Sequence, residues 1–193
     1  MGKSEKISAE SGRALLKLAR QTISEQLGGK TENDPSLSEK LNAMELQDIC
    51  GTFVTLTKNK QLRGCIGNLL PSEPIPEGVR NNAINAAFND HRFSPLTKEE
   101  LDEIEIEISI LTKPEPLSFS GAKDLLSKIR PNVDGVILKK AYRSATFLPQ
   151  VWEQLPDKKS FLSHLSQKAG LPKDAWKDPD IEVMTYQVQY FEE

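Results

Sequence analysis

The sequence predicts an α+β protein with a mostly antiparallel sheet and packed helices. Three observations carry that prediction. Residues 103–111 alternate, with Ile104, Ile106, Ile108 and Ile110 on one side and Glu103, Glu105, Glu107 and Ser109 on the other. That is the period of a half-buried antiparallel strand. Residues 49–57, ICGTFVTLT, and residues 62–66 flank the turn Lys58-Asn59-Lys60-Gln61 and read as a hairpin. Helical and strand patterns do not alternate as βαβ units, which argues against a doubly wound parallel sheet.

The elements follow in order. Residues 8–27 carry Leu15, Leu16, Ala19, Ile23 and Leu27 at helical spacing, with Ser8 as N-cap and Gly28-Gly29 as the stop. Residues 30–47 are polar, contain Pro35, and read as a long surface loop with room for a turn of helix. The three prolines of 69–76 predict a loop or extended edge, and 77–89 a helix that breaks at Asp90. Pro114 and Pro116 end the alternating strand. Ala122, Leu125, Leu126 and Ile129 mark a short helix, and 135–138 and 145–148 a strand pair around Lys139, Lys140 and Arg143. Residues 158–169 predict a helix closed near Gly170, and 181–191 one final strand.

A chain of 193 residues fits a single domain with a small inner subdomain. Its boundaries stay uncertain; the proline-rich 69–76 and 112–116 are the candidate crossings. The net charge of −3 excludes a broadly basic nucleic-acid surface but leaves a local patch open at Lys128, Arg130, Lys139, Lys140 and Arg143. Neither an export signal nor a run of about 18 apolar residues is recognised. Gly2 after Met1 is a weak myristoylation context. Cys50 and Cys65 then point to a reducing, cytoplasmic setting, although paired strands would permit a disulfide between them. Two cysteines and two widely spaced histidines give no metal site, and no cofactor motif is present, so the cofactor is unknown.

The string Leu62-Arg63-Gly64-Cys65-Ile66-Gly67 holds the candidate chemistry. Gly64 permits close backbone approach, and Gly67 a positive φ at the strand end. Arg63 favours a thiolate or holds an anion. Cys65 is therefore a candidate nucleophile or ligand contact; the plain alternative is a small buried hydrophobe in a strand shaped by glycines. His91 is the serious candidate for a base beside it. Asp90 and Arg92 either cap local structure or join Arg63 around an anionic ligand. Gln150, oriented by Pro149, is a candidate cleft hydrogen-bonder, while Trp152 reads as packing. The carboxylates of 99–107 read as a solvated face.

Five ordered segments resemble the AMMECR1 domain family: LRGCIG at 62–67, GTFVTL at 51–56, AAFNDHRFSPL at 86–96, DGVIL at 134–138 and TFLPQVW at 146–152. The resemblance implies a larger part built from both chain ends and a smaller inner part, with 62–67 as the suspected functional segment. It places Asp90 and Arg92 on the family's D-x-R-F segment and expects proline at position 91 in many relatives, which weakens His91 as a shared base. No reaction is established for the family. The resemblance implies a ligand- or substrate-binding accessory of a modification pathway that also contains radical-SAM and Memo-like proteins. This chain lacks the CxxxCxxC iron–sulfur motif. Two alternatives stay open: a non-catalytic protein-interaction module and an RNA- or DNA-binding protein.

Overall fold

The computed structural model describes residues 6–30, 34–69 and 73–193. The weak myristoylation site at Gly2 lies outside them. The chain divides into two units, one of residues 1–111 with 189–193 and one of residues 112–188. Each carries its own four-stranded sheet. The chain leaves the first unit within the expected 112–116 crossing, whereas 73–76 lies inside the first unit.

In the first unit the sheet order is β2-β1-β3-β8, from Thr52–Lys58 (β1), Gln61–Asn68 (β2), Ile104–Leu111 (β3) and Val188–Glu192 (β8). β1 pairs antiparallel with β2 and β3. The hairpin turns at Asn59 and Lys60, both at positive φ (52° and 62°), the conformation of a tight two-residue hairpin turn. One sheet face carries Val54, Leu56, Ile106 and Ile108, all buried. Against it pack α1 (Ala9–Gln26) and α3 (Ile75–Phe88). Ser8 caps α1, its hydroxyl accepting from Ser11 N at 3.1 Å, and Gly28 leaves the helix at φ 80°. α3 presents Gly78, Ala83, Ala86 and Ala87, small residues that bring its backbone close to the sheet. Asn82, buried on α3, donates to Thr52 O and Thr52 Oγ1 at 3.0 and 2.9 Å, which satisfies its amide nitrogen in the core.

Three sequence expectations change here. Residues 30–47 are not a plain loop, because Pro35–Leu41 forms α2 and Met44–Leu46 a 3-10 turn. Asp34 caps α2 and Pro35 occupies its first turn, where a missing N–H costs nothing. α3 likewise begins at Ile75, with Pro76 in its first turn. The final strand is two strands. It breaks at Gln187 into β7 (Glu182–Tyr186) and β8, which belong to different sheets.

The second unit has sheet order β4-β7-β5-β6, with Glu115–Pro116 (β4), Gly135–Lys140 (β5) and Arg143–Phe147 (β6). α4 (Ala122–Lys128), α5 (Val151–Gln154) and α6 (Lys158–Lys168) supply its helices. Trp152 stacks on Phe161 with ring centroids 3.6 Å apart, and its indole N–H donates to Asp134 O at 2.8 Å. Tyr186 lies over Gly135, where a β-carbon would collide with its ring. Its hydroxyl lies 2.9 Å from Thr146 Oγ1, and burial pushes its pKa up to about 12.

Candidate functional site

The site is built on β2, the edge strand of the first sheet. Successive residues of a strand point their backbone groups to opposite sides. At Cys65 they point away from β1, and the turn after α3 receives them. Cys65 N donates to Asp90 Oδ2 at 2.9 Å, and Arg92 Nη2 donates to Cys65 O at 3.2 Å. Asp90 is itself gripped by Arg92, through Nε to Oδ1 at 2.9 Å and Nη2 to Oδ2 at 2.7 Å. The Asp90 side chain is 5% exposed and that of Arg92 56%. This clamp closes the open edge of β2 at Cys65, so no other strand can pair there.

The Cys65 side chain emerges on the sheet face opposite the helices and is partly exposed. Its cross-strand partner is Thr55, whose hydroxyl donates to Sγ at 3.3 Å. Both cysteines are free, and the disulfide is ruled out by register: Cys50 precedes β1, while Cys65 stands opposite Thr55. Thr55 stands opposite Glu107 on its other side. Cys65, Thr55 and Glu107 therefore form one row across three strands. Glu107 departs from the expected solvated face. It is half-buried, and burial first, then the charge of Glu192, holds its pKa above the ordinary value. Ser109, fully buried beside it, donates to Glu107 Oε1 at 3.4 Å.

Arg63 is displaced by a β-bulge. Leu56 faces Gly64 and Thr57 faces Leu62, which leaves Arg63 unpaired in the ladder. Its guanidinium turns to Glu100, with Nε to Oε1 at 3.0 Å and Nη2 to Oε2 at 2.8 Å. Lys58 reaches the same carboxylate at 3.4 Å. Arg63 therefore holds a carboxylate of its own chain.

Gly64 and Gly67 have packing reasons. A β-carbon on Gly64 would collide with the carbonyl oxygen of Ala86 on α3. One on Gly67 would collide with the Phe53 ring and Thr52 O. The expected positive φ at Gly67 is absent; that conformation occurs at Gly28, Gly121 and Gly170. His91 lies exposed in the turn, and the sulfur's hydrogen-bond partner is Thr55 instead. Gln150 belongs to the second unit, exposed at the start of α5, without a side-chain capping bond. The basic residues of that unit face acids or carbonyls: Lys128 Asp124, Arg130 Asp134, Lys139 Glu182, Lys140 Asp178 and Asp180, and Arg143 the carbonyl of Gly170. A cavity of about 700 Å³ lies in the first unit beside Arg13, Leu16, Arg20, Leu101 and Glu193, and none of the candidate site residues of the sequence lines it.

The ion pairs set an acid limit. Hydrogen bonds from Arg63 lower the Glu100 carboxyl from 4.5 to about 2, against the opposing effect of burial. Hydrogen bonds from Arg92 hold the Asp90 carboxyl well below the ordinary aspartate range. Both folded values lie below the unfolded ones, so both pairs stabilise the fold above the ordinary carboxylate range. That stability is lost as pH falls through the folded values. Urea midpoints should drop between pH 4.5 and about 2. Glu100→Gln should lower the midpoint at pH 7 and flatten its acid decline; equal declines in variant and wild type would contradict this origin.

The AMMECR1 family model matches residues 16–191. A protein of Methanothermobacter thermautotrophicus is 40% identical over 97% of this chain and 96% of its own length. Protein MK0488 of Methanopyrus kandleri is 40% identical over 98% of this chain and 91% of its own. The crystal structure of uncharacterized protein PH0010 from Pyrococcus horikoshii superimposes with a TM-score of 0.81 at 36% identity, covering 97% of this chain and 93% of that one. Among the described residues no helix is long and apolar enough to cross a membrane.

Proposed function

The chain belongs to the AMMECR1 family, and from that membership we propose that it is a ligand- or substrate-binding component of a modification pathway that presents Cys65 to its ligand. One observation carries this reading. A partly exposed thiol sits on a strand residue whose own N–H and C=O are both held by the Asp90–Arg92 clamp. A reactive atom on a fixed backbone, rather than on a loop, is the arrangement a positioned thiol requires. Arg63 and Arg92 are engaged by Glu100 and Asp90 and serve as its scaffold.

The radical-SAM and Memo-like companions implied by the family resemblance are retained as proposed partners. Iron–sulfur chemistry would reside in the companion, since this chain has only Cys50 and Cys65. Cytoplasmic residence agrees with two unpaired thiols. The basic residues named above are matched by acids or carbonyls, which favours this reading over nucleic-acid binding.

The test is iodoacetamide alkylation of the folded protein, read site by site by mass spectrometry. Cys65 should label first. Burial, with the nearby Asp48 charge, raises the Cys50 pKa and leaves less thiolate there. Labelling of Cys65 only after unfolding would reject the proposal.

A further inference from the structure

The row Cys65–Thr55–Glu107 contains a group that the suspected site left out. Directly opposed residues in neighbouring strands bring their β-carbons to about 4.5–5.5 Å. The Glu107 carboxyl is therefore within a side-chain rotation of the Thr55 hydroxyl, and that hydroxyl already touches Sγ. Its present bond to Ser109, at 3.4 Å, is long and readily exchanged. A half-buried carboxylate on a strand carries a desolvation cost, and the negative charge of Glu192 adds to it.

The geometry points to Glu107 as the base that takes the Cys65 proton, with Thr55 as the relay between them. This rests on the proposed role of Cys65 as the presented thiol. The step balances within the row. The Thr55 hydroxyl first rotates its proton from Sγ toward Glu107; the thiol proton then passes to Thr55 Oγ1 while the hydroxyl's own proton passes to the Glu107 carboxylate. Sulfur is left as thiolate and glutamate as the neutral acid, with no net change of charge. In alkylation the thiolate lone pair then forms the S–C bond, iodide leaves with its bonding pair, and the proton stays on Glu107. Burial that makes Glu107 a poor anion also makes it a better proton acceptor at neutral pH. The charges around the row are Arg63 on β2, the Asp90–Arg92 clamp at the strand edge, Glu105 on β3 and Glu192 on β8.

The experiment measures the rate of Cys65 alkylation by iodoacetamide from pH 6 to 10 in a Cys50→Ser background. Glu107→Gln keeps the shape of the side chain and removes the base. It should slow labelling about tenfold near pH 7, with the rates converging well above the ordinary thiol range. Thr55→Val should slow it equally, Thr55→Ser should restore it, and the Glu107→Gln/Thr55→Val double variant should be no slower than either alone. Circular dichroism establishes that each variant is folded. If Glu107→Gln instead speeds labelling, the carboxylate acts only as a repelling charge and the inference is overturned. An unchanged profile overturns it too. If wild-type Cys65 does not label in the folded protein, the failure lies with the proposed function itself.

Discussion

Gly64→Ala is expected to destabilise the protein by about 3 kcal/mol, the upper end of the range for an overpacked core position. The added methyl group meets the Ala86 carbonyl, which belongs to the helix backbone and cannot rotate aside. Either α3 or β2 must move. Either movement also stretches the bond between Cys65 N and Asp90, because Asp90 follows directly on α3. The urea midpoint measures the first effect, and the rate of Cys65 alkylation the second. A stability change below about 0.5 kcal/mol, typical of a surface substitution, would show that α3 and β2 do not approach so closely. Gly67→Ala should also be destabilising, since its β-carbon meets the backbone carbonyl of Thr52 as well as the Phe53 ring.

Trp152→Ala should cost about 3–5 kcal/mol, the usual range for removing a large aromatic from a core. The indole is fully buried and stacked on Phe161. Its loss also strands the Asp134 carbonyl, which has the indole N–H as its hydrogen-bond donor. Trp152→Phe retains the stack and removes only the donor, which should cost about 1–3 kcal/mol. Thermal unfolding measures both, with a fall on the order of 10 °C expected for the alanine variant. Equal losses for alanine and phenylalanine would mean that the hydrogen bond, not the packing, dominates.

The period-2 alternation of 103–111 identifies β3 because one face of it meets helices and the other does not. The same alternation cannot say what the outer face meets. Glu107 and Glu105 look alike in sequence, and only the pairing of three strands sets Glu107 beside Thr55 and Cys65. The partner of Arg63 is hidden from the sequence for a related reason. A bulge shifts register by one residue, and no residue type announces it. The helix at Pro35–Leu41 was legible in Asp34 followed by proline, an N-cap with a residue suited to the first turn. The break at Gln187 leaves no such mark: apolar and polar residues alternate through it, while the chain changes sheets. The strings leave Asp90 and Arg92 either to cap local structure or to join Arg63; the structure sets them against Cys65 as one clamped unit in which the arginine serves its own aspartate.

That break has a consequence for the order of folding. Residues 112–188 are contiguous, so the second sheet has all its strands once Val188 has been synthesised. The first sheet has to wait. Its strand β8 lies far along the sequence from the elements it joins: the Gln189 amide bonds Ile7, and the Glu193 side chain receives both Arg20 and Ile106 N. Contacts spanning 182 and 173 positions in sequence are slow to close. Until they do, β3 is an uncovered edge able to pair with another chain. The inner unit can complete its sheet without β8, and the first unit is most prone to aggregate while β3 lacks that partner.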